Sequence, residues 1–432
     1  MNEFLLQHVM IYIPLIYFLI LTILFYVSQK KIDVPVFLSA QFALTSFFAV
    51  VIVHRGLLGG GGVQFTASSI HLGVVPTLLY CVLHTLAILP FTSLKPAKIT
   101  EITISSEKVF NLFAYFLMSI ALLNLYIVLD NVIQVIMGGD FATVRSSHYG
   151  GEETMSQQKT KALPSILGYF YYFNRTTILA LPCFFYSLCF LKRHWLFNVA
   201  LFLTALSIPL SGMVNVDRTE FIFFLQTCCV NFLLFRPFIG HNQYRFLKRL
   251  LIPIFSVMLL YLCVITISRW DNTDDGASGA AIQYAGQSYL NFCFIYDNMH
   301  EGYIHIERIL PLTYKIIHDD FDYSAIKEQK CREHGFFVGI FASYLGDFLL
   351  DVGIYGMLIW IVCFVLLCIM TLPRSSPVIS FGQVLWYYML ATIPMFGIFY
   401  YPYFTWLQVV CIIICAMMSI LFNYNFVYKS KS

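Results

Sequence analysis

Residues 335–370, GFFVGIFASYLGDFLLDVGIYGMLIWIVCFVLLCIM, decide the fold. Apart from Asp347 and Asp351 the run carries no charge. A helix crosses bilayer hydrocarbon in about 20 residues, so the run is too long for one crossing and too short for two. Counting back about 20 residues from Arg374 reaches Ile354. Phe336–Asp351 is then left over as a re-entrant or interfacial helix, whose Gly335, Gly339 and Gly346 permit close packing. The same composition holds throughout the 432 residues: 59% are hydrophobic and only 11% charged, where a soluble domain has about a quarter charged. Apolar runs of span length recur from end to end, which gives an all-α polytopic membrane protein.

Eleven transmembrane helices can be counted, at roughly 8–28, 34–54, 70–91, 109–130, 172–191, 195–211, 219–235, 250–268, 354–372, 380–399 and 403–425. Alternate connections differ sharply in charge. One set holds Lys30, Lys31, Lys95, Lys98, Lys108, Lys192, Arg193, Arg236, Arg245, Lys248, Arg249, Arg374, Lys429 and Lys431, 14 of the 26 basic residues. The short connections of the other set hold only Arg55, Arg145, Lys159, Lys161 and Arg218. The positive-inside rule puts the first set in the cytoplasm, the N-terminus outside and the C-terminus inside. Residues 1–432 form a single integral membrane domain, with residues 269–351 as an outer loop plus interfacial helix within it. The first apolar run has no basic residues before it and no cleavage site after it, so no cleavable signal peptide is expected.

The long outer loop from Arg269 to His334 carries Arg269, Arg308, Lys315, Lys327, Lys330, Arg332 and His334. Ile282, Ala285, Tyr289, Phe292 and Tyr296 fall at three- or four-residue spacing, which predicts a helix lying along the membrane surface on one apolar face. A second helix is predicted at Ile304–Ile317, interrupted by Pro311. Ten of the 12 cysteines lie in apolar runs as small hydrophobes. Only Cys293 and Cys331 fall in the loop, where they can either pair on an oxidising side or stay free.

Outward-side arginines are the chemical signal. Arg218 stands in SGMVNVDRTEF, where Asp217 or Asn215 can cap a helix, with Glu220 placed as in a capping box. A helix N-terminus favours an anion, and an adjacent guanidinium adds bidentate phosphate geometry; the plainer reading is an interfacial Arg paired with Asp217 or Glu220. Arg175 falls about one turn inside its span, where a charge costs energy, and either serves a ligand or pairs with Asp130. Arg269 ends its span as an anchor or a ligand group. Arg145 lies with His148 in the outer loop GGDFATVRSSHYGGEE. His334, beside Arg332, is placed to act as general base on a hydroxyl. Asp347 and Asp351, four apart on one helical face, can position a sugar hydroxyl, bind a cation or neutralise arginines. No zinc spacing, P-loop, GxSxG or HExxH occurs, and no acidic pair lies between the first two spans, so neither metal nor cofactor is expected.

With its spans, late outer loop, SGMVNVDRTEF and HGFFVGIFASYLGDFLLDVGIYG, the chain resembles the oligosaccharide repeat-unit polymerases, the Wzy-type O-antigen and capsule polymerases of bacterial inner membranes. Val352 stands where that family often has an aromatic residue. The resemblance implies a GT-C-like membrane glycosyltransferase joining undecaprenyl-diphosphate-linked oligosaccharide repeats, both donor and acceptor, at the periplasmic face. It implies Arg218, Arg269, Arg175, Arg145 and Arg332 on the diphosphate and His334 as base, with Asp347 or Asp351 as substitutes. Membrane lipids and a chain-length regulator protein would be partners, and nucleic acid would not. An O-antigen ligase-like transferase and a lipid-linked oligosaccharide flippase are the rivals. A flippase would be expected to show two related halves and charge across many spans, and neither is visible in the sequence.

Overall fold

The computed structural model describes residues 9–58, 72–138, 173–191, 193–214, 218–270, 276–298, 308–317, 341–374 and 376–429, with isolated positions between them. The predicted roles of Arg145, His334 and Arg332, and any pairing through Cys331, lie outside these residues. By contact, the chain divides into two compact units, each assembled from separate stretches. Unit 1 comprises residues 1–95, 274–374 and 390–409, and unit 2 residues 96–273, 375–389 and 410–432.

Unit 1 opens with α1 (Tyr12–Gln29), α2 (Val34–Arg55) and α3 (Val74–Ile88). Each end has a local cause. Lys30 closes α1 in the left-handed region at φ 58°. Pro at the start of α2 fits the helix geometry, and Gly56 at φ 67° ends it, its amide on the Ile52 and Val53 carbonyls. Between these helices Phe18, Phe42, Tyr80 and His84 form a dry aromatic core. His84, fully buried, meets the Tyr344 hydroxyl at 3.1 Å.

Unit 2 opens with β1 (Glu101–Thr103) and α4 (Glu107–Gly138). A 3-10 turn (Asn174–Leu179) then leads into α5 (Ala180–Tyr186), which ends in a widened turn, Ser187–Leu191. α6 (Trp195–Val214), α7 (Thr219–Phe235) and α8 (His241–Trp270) follow. β1 pairs in parallel with β2 (Val378–Ser380), Ile102 opposite Ile379, and this strip is the only sheet among the described residues.

The remaining helices are α9 (Gly276–Asn298), α10 (Pro311–Ile317), α11 (Ser343–Thr371), α12 (Phe381–Phe396) and α13 (Trp406–Lys429). Among the described residues, ten segments are long and apolar enough to cross a membrane. α12, at 16 residues, falls short of that length. It nevertheless runs antiparallel to α13: Ser380 meets Asn423, the Ser419 hydroxyl donates to the Gly382 carbonyl, and Cys415 approaches the Leu385 carbonyl. The chain is therefore an all-α polytopic membrane protein, with the eleventh segment present as a shorter helix.

One expectation for the loop region needs correction, and another is narrowed to one of its two alternatives. α9 exists, but it does not lie on a membrane surface by one apolar face. Its polar stripe is buried as well, because packed neighbours offer it acceptors: Gln283 donates to the Leu57 carbonyl, Ser288 to that of Ile398 and Asn291 to that of Phe341. Nor is the segment before Ile354 a surface helix. Ser343–Asp351 is buried throughout, and the helix breaks at Gly353, where φ 70° and ψ −175° suit only glycine. A buried half-helix followed by a span excludes the interfacial alternative and is compatible with the re-entrant one. The second loop helix starts at Pro311 itself, a residue that suits a first turn and disrupts an interior.

Candidate functional site

In unit 2 the arginines gather at the start of α7. Residues 215–217 lie outside the described set, so the Asp217 or Asn215 cap does too. Arg218 itself occupies the N-cap position in a helical conformation, without a side-chain cap. It is only 6% exposed, and its guanidinium donates to the Thr266 hydroxyl of α8 at 3.3 Å. Thr266 can accept because its own proton goes to the Leu262 carbonyl, 2.7 Å away.

Glu220, in the first turn of α7, pairs with Arg175, and the predicted capping box with Asp217 lies outside the described residues. The site suits a carboxylate, since the free N–H groups and the dipole of the helix favour negative charge there. Arg175 keeps 38% of its side chain exposed while Glu220 keeps 9%. The arginine is thus anchored at one edge and open at another.

A polar seam fixes the turn that carries Arg175. The Asn124 amide of α4 donates to the Ser207 carbonyl and to the Ser211 hydroxyl of α6, at 3.1 and 2.7 Å. Asn174 donates to the same Ser211 hydroxyl at 3.4 Å, and Thr177 meets Ser207 at 3.1 Å. In an apolar surround such bonds hold a short 3-10 turn that its own backbone bonds hold weakly.

Sidedness within unit 2 follows from the connections. α7 and α8 are joined by the short turn Arg236–Phe238, so the start of α7 and the end of α8 share one end. Arg269, in the last turn of α8 and three residues beyond Thr266, belongs to that end by its backbone. The opposite end holds Arg236 and the pair Arg193–Glu107, 2.7 Å apart. Arg175, Arg218 and Arg269 therefore stand opposite the basic connections, as the charge alternation predicts.

Asp347 and Asp351 lie in unit 1, on one face of the buried half-helix. Asp347 pairs with Arg308 at 2.8 Å and accepts the Tyr401 amide at 2.6 Å. One oxygen of Asp351 accepts the amides of Arg308 and Ile309, at 3.0 and 3.1 Å. The Arg308 guanidinium lies 5.1 Å from the Phe404 ring centre. The two carboxylates thus clamp a segment of the long loop. Arg308 is one of six Lys and Arg residues in that loop, and nothing in its neighbours' spacing singles it out. Thr266 and Asn124 also escaped sequence reasoning, since a lone Thr or Asn in an apolar run carries no periodic signal.

Cys293 is a free, fully buried thiol in the core of unit 1. No group of three or more His, Cys, Asp or Glu suited to a metal ion occurs among the described residues. What the arginine end offers chemically is fixed cationic donors beside a helix N-terminus. No family model, curated protein or solved structure matches the chain.

Proposed function

We propose that the protein is a membrane-embedded glycosyltransferase of GT-C type. It polymerises undecaprenyl-diphosphate-linked oligosaccharide repeat units at the periplasmic face of a bacterial inner membrane, moving the growing chain onto the next repeat. The observation that carries this reading is Arg218, buried at the start of α7 and bonded to Thr266, with Arg175 paired to Glu220 two residues further along α7. Charge accumulating on a departing lipid diphosphate is stabilised by fixed donors in a water-poor site. Arg218, Arg175 and Arg269 take that role, with Arg145 and Arg332 as further contacts. His334 removes the proton of the acceptor hydroxyl. Asp347 and Asp351 are engaged with Arg308 and backbone amides, which supports a part in holding the loop and leaves His334 as the proposed base.

The test is the length of surface polysaccharide in cells carrying Arg218→Ala or Arg175→Ala. A polymerase defect leaves a single repeat unit on the surface, a flippase defect leaves none, and unaltered chains would refute the reading.

A further inference from the structure

A cleft of about 260 Å³ opens between α6, α7 and α8 in unit 2. Its walls include Leu206, Pro209 and Leu210 of α6, Phe221 of α7, and Pro253 and Val257 of α8. Two of these are prolines inside helices. A proline there removes one ladder hydrogen bond and pushes the preceding turn away, so helices carrying one each leave a gap between them. Every lining side chain is apolar except for the hydroxyl of Tyr261.

The cleft is not isolated from the charged end. Phe221 and Tyr261, both in its wall, pack with ring centroids 4.8 Å apart and planes tilted by 41°. Arg218 lies one turn before Phe221 on α7, and its partner Thr266 lies little more than one turn beyond Tyr261 on α8. Arg269 follows in the last turn of that helix. An apolar slot thus leads along the bilayer to a buried cation, which matches a molecule with a hydrocarbon tail and an anionic head.

We propose that this cleft seats the hydrocarbon tail of the lipid diphosphate whose head lies at Arg218. The inference rests on the polymerase reading and adds to it a tail site formed by residues of α6, α7 and α8 that do not themselves contact the diphosphate. Tail burial in a preformed slot fixes the diphosphate at one depth and one orientation, which favours in-place reaction over diffusion along the bilayer.

The test uses the full-length protein in lipid nanodiscs with three probes: a long-chain polyprenyl diphosphate, a short water-soluble prenyl diphosphate and phosphatidylglycerol. Leu210→Trp and Val257→Trp each fill the cleft without touching Arg218. Both should weaken binding of the long-chain probe by at least about tenfold while leaving the short-chain probe unaffected. A photoreactive group on the long tail should label the α8 stretch around Pro253–Tyr261 in the parent protein, a result that needs no variant to fold. The proposal is overturned if both variants bind the long chain as the parent does, if labelling falls elsewhere, or if phosphatidylglycerol competes equally. Those failures leave the polymerase reading intact so long as Arg218→Ala still abolishes chain extension. A parent protein that binds neither diphosphate defeats both.

Discussion

At Arg308 the guanidinium pairs with Asp347, while its own amide and that of Ile309 hold Asp351. Both side chains of the ion pair are almost fully buried, at 7% and 3% exposure. Removing one partner strands the other without compensation, so Arg308→Ala should cost about 3–5 kcal/mol in stability. Thermal unfolding in detergent would measure it, and adding Asp347→Asn should recover part of the loss. Arg218 predicts a different signature. Arg218→Ala should slow chain extension about 10²-fold with purified lipid-linked repeats, whereas the clamp variant should lose stability first. Asp33, between α1 and α2, adds a pH effect. Burial raises its carboxyl to about 6, against the pull of Lys95. The folded state therefore holds this proton more tightly than the unfolded one, and stability rises as pH falls from about 6 towards the ordinary carboxylate range. Asp33→Asn should be more stable than the parent above about pH 7 and equal to it near about pH 4.

Helix elements show the same division between what a sequence states locally and what only packing decides. Gly353 sits in a backbone region that other residues enter only under strain, so Gly353→Ala should cost about 1–3 kcal/mol and loosen the half-helix that carries both aspartates. Gly286 of α9 faces the Phe48–Ala49 backbone of α2 with no room for a Cβ, and Gly286→Val should cost about as much through overpacking, ~1–3 kcal/mol. Circular dichroism melts of the detergent-purified variants would check both. Span limits were legible because hydrocarbon thickness sets them. The expected 34–54 and 219–235 are found as Val34–Arg55 and Thr219–Phe235. α8 starts at His241, earlier than the expected 250, because a helix can continue through polar residues once they leave the hydrocarbon. The burial of α9 was not legible: its Gln283 and Asn291 look like surface residues until the Leu57 and Phe341 carbonyls are brought to them. Within the candidate site, the residue types and the shared end of Arg175 and Arg218 could be read from charge alternation. Their partners could not. The Glu220–Arg175 pair and the Thr266 contact join residues 45 and 48 positions apart, and only the docking of α7 against its neighbours selects them.

Over the whole molecule, sidedness follows from counting crossings. Among the described residues ten segments have span length, and an even number of crossings would return the C-terminus to the side of the N-terminus. α12 changes the parity. Its 16 residues extend about 24 Å, and its contacts with α13 step down in register from Ser380–Asn423 to Leu385–Cys415. Counting α12 beside its spanning neighbour as a crossing gives the odd number that the sequence predicts. Eleven crossings would put the termini on opposite sides, and the positive-inside rule predicts that the fourteen basic residues of the alternate connections face the cytoplasm. Single cysteines at the exposed positions Lys31 and Arg55, in a chain otherwise free of cysteine, test this directly. A membrane-impermeant maleimide applied from the periplasmic side should label Arg55→Cys and spare Lys31→Cys, and a tag after Ser432 should be protected from protease added there. A protected Arg55→Cys with a labelled Lys31→Cys would reverse the orientation that the charge alternation predicts. Lipid-linked repeats presented at the outer face could not then reach Arg218.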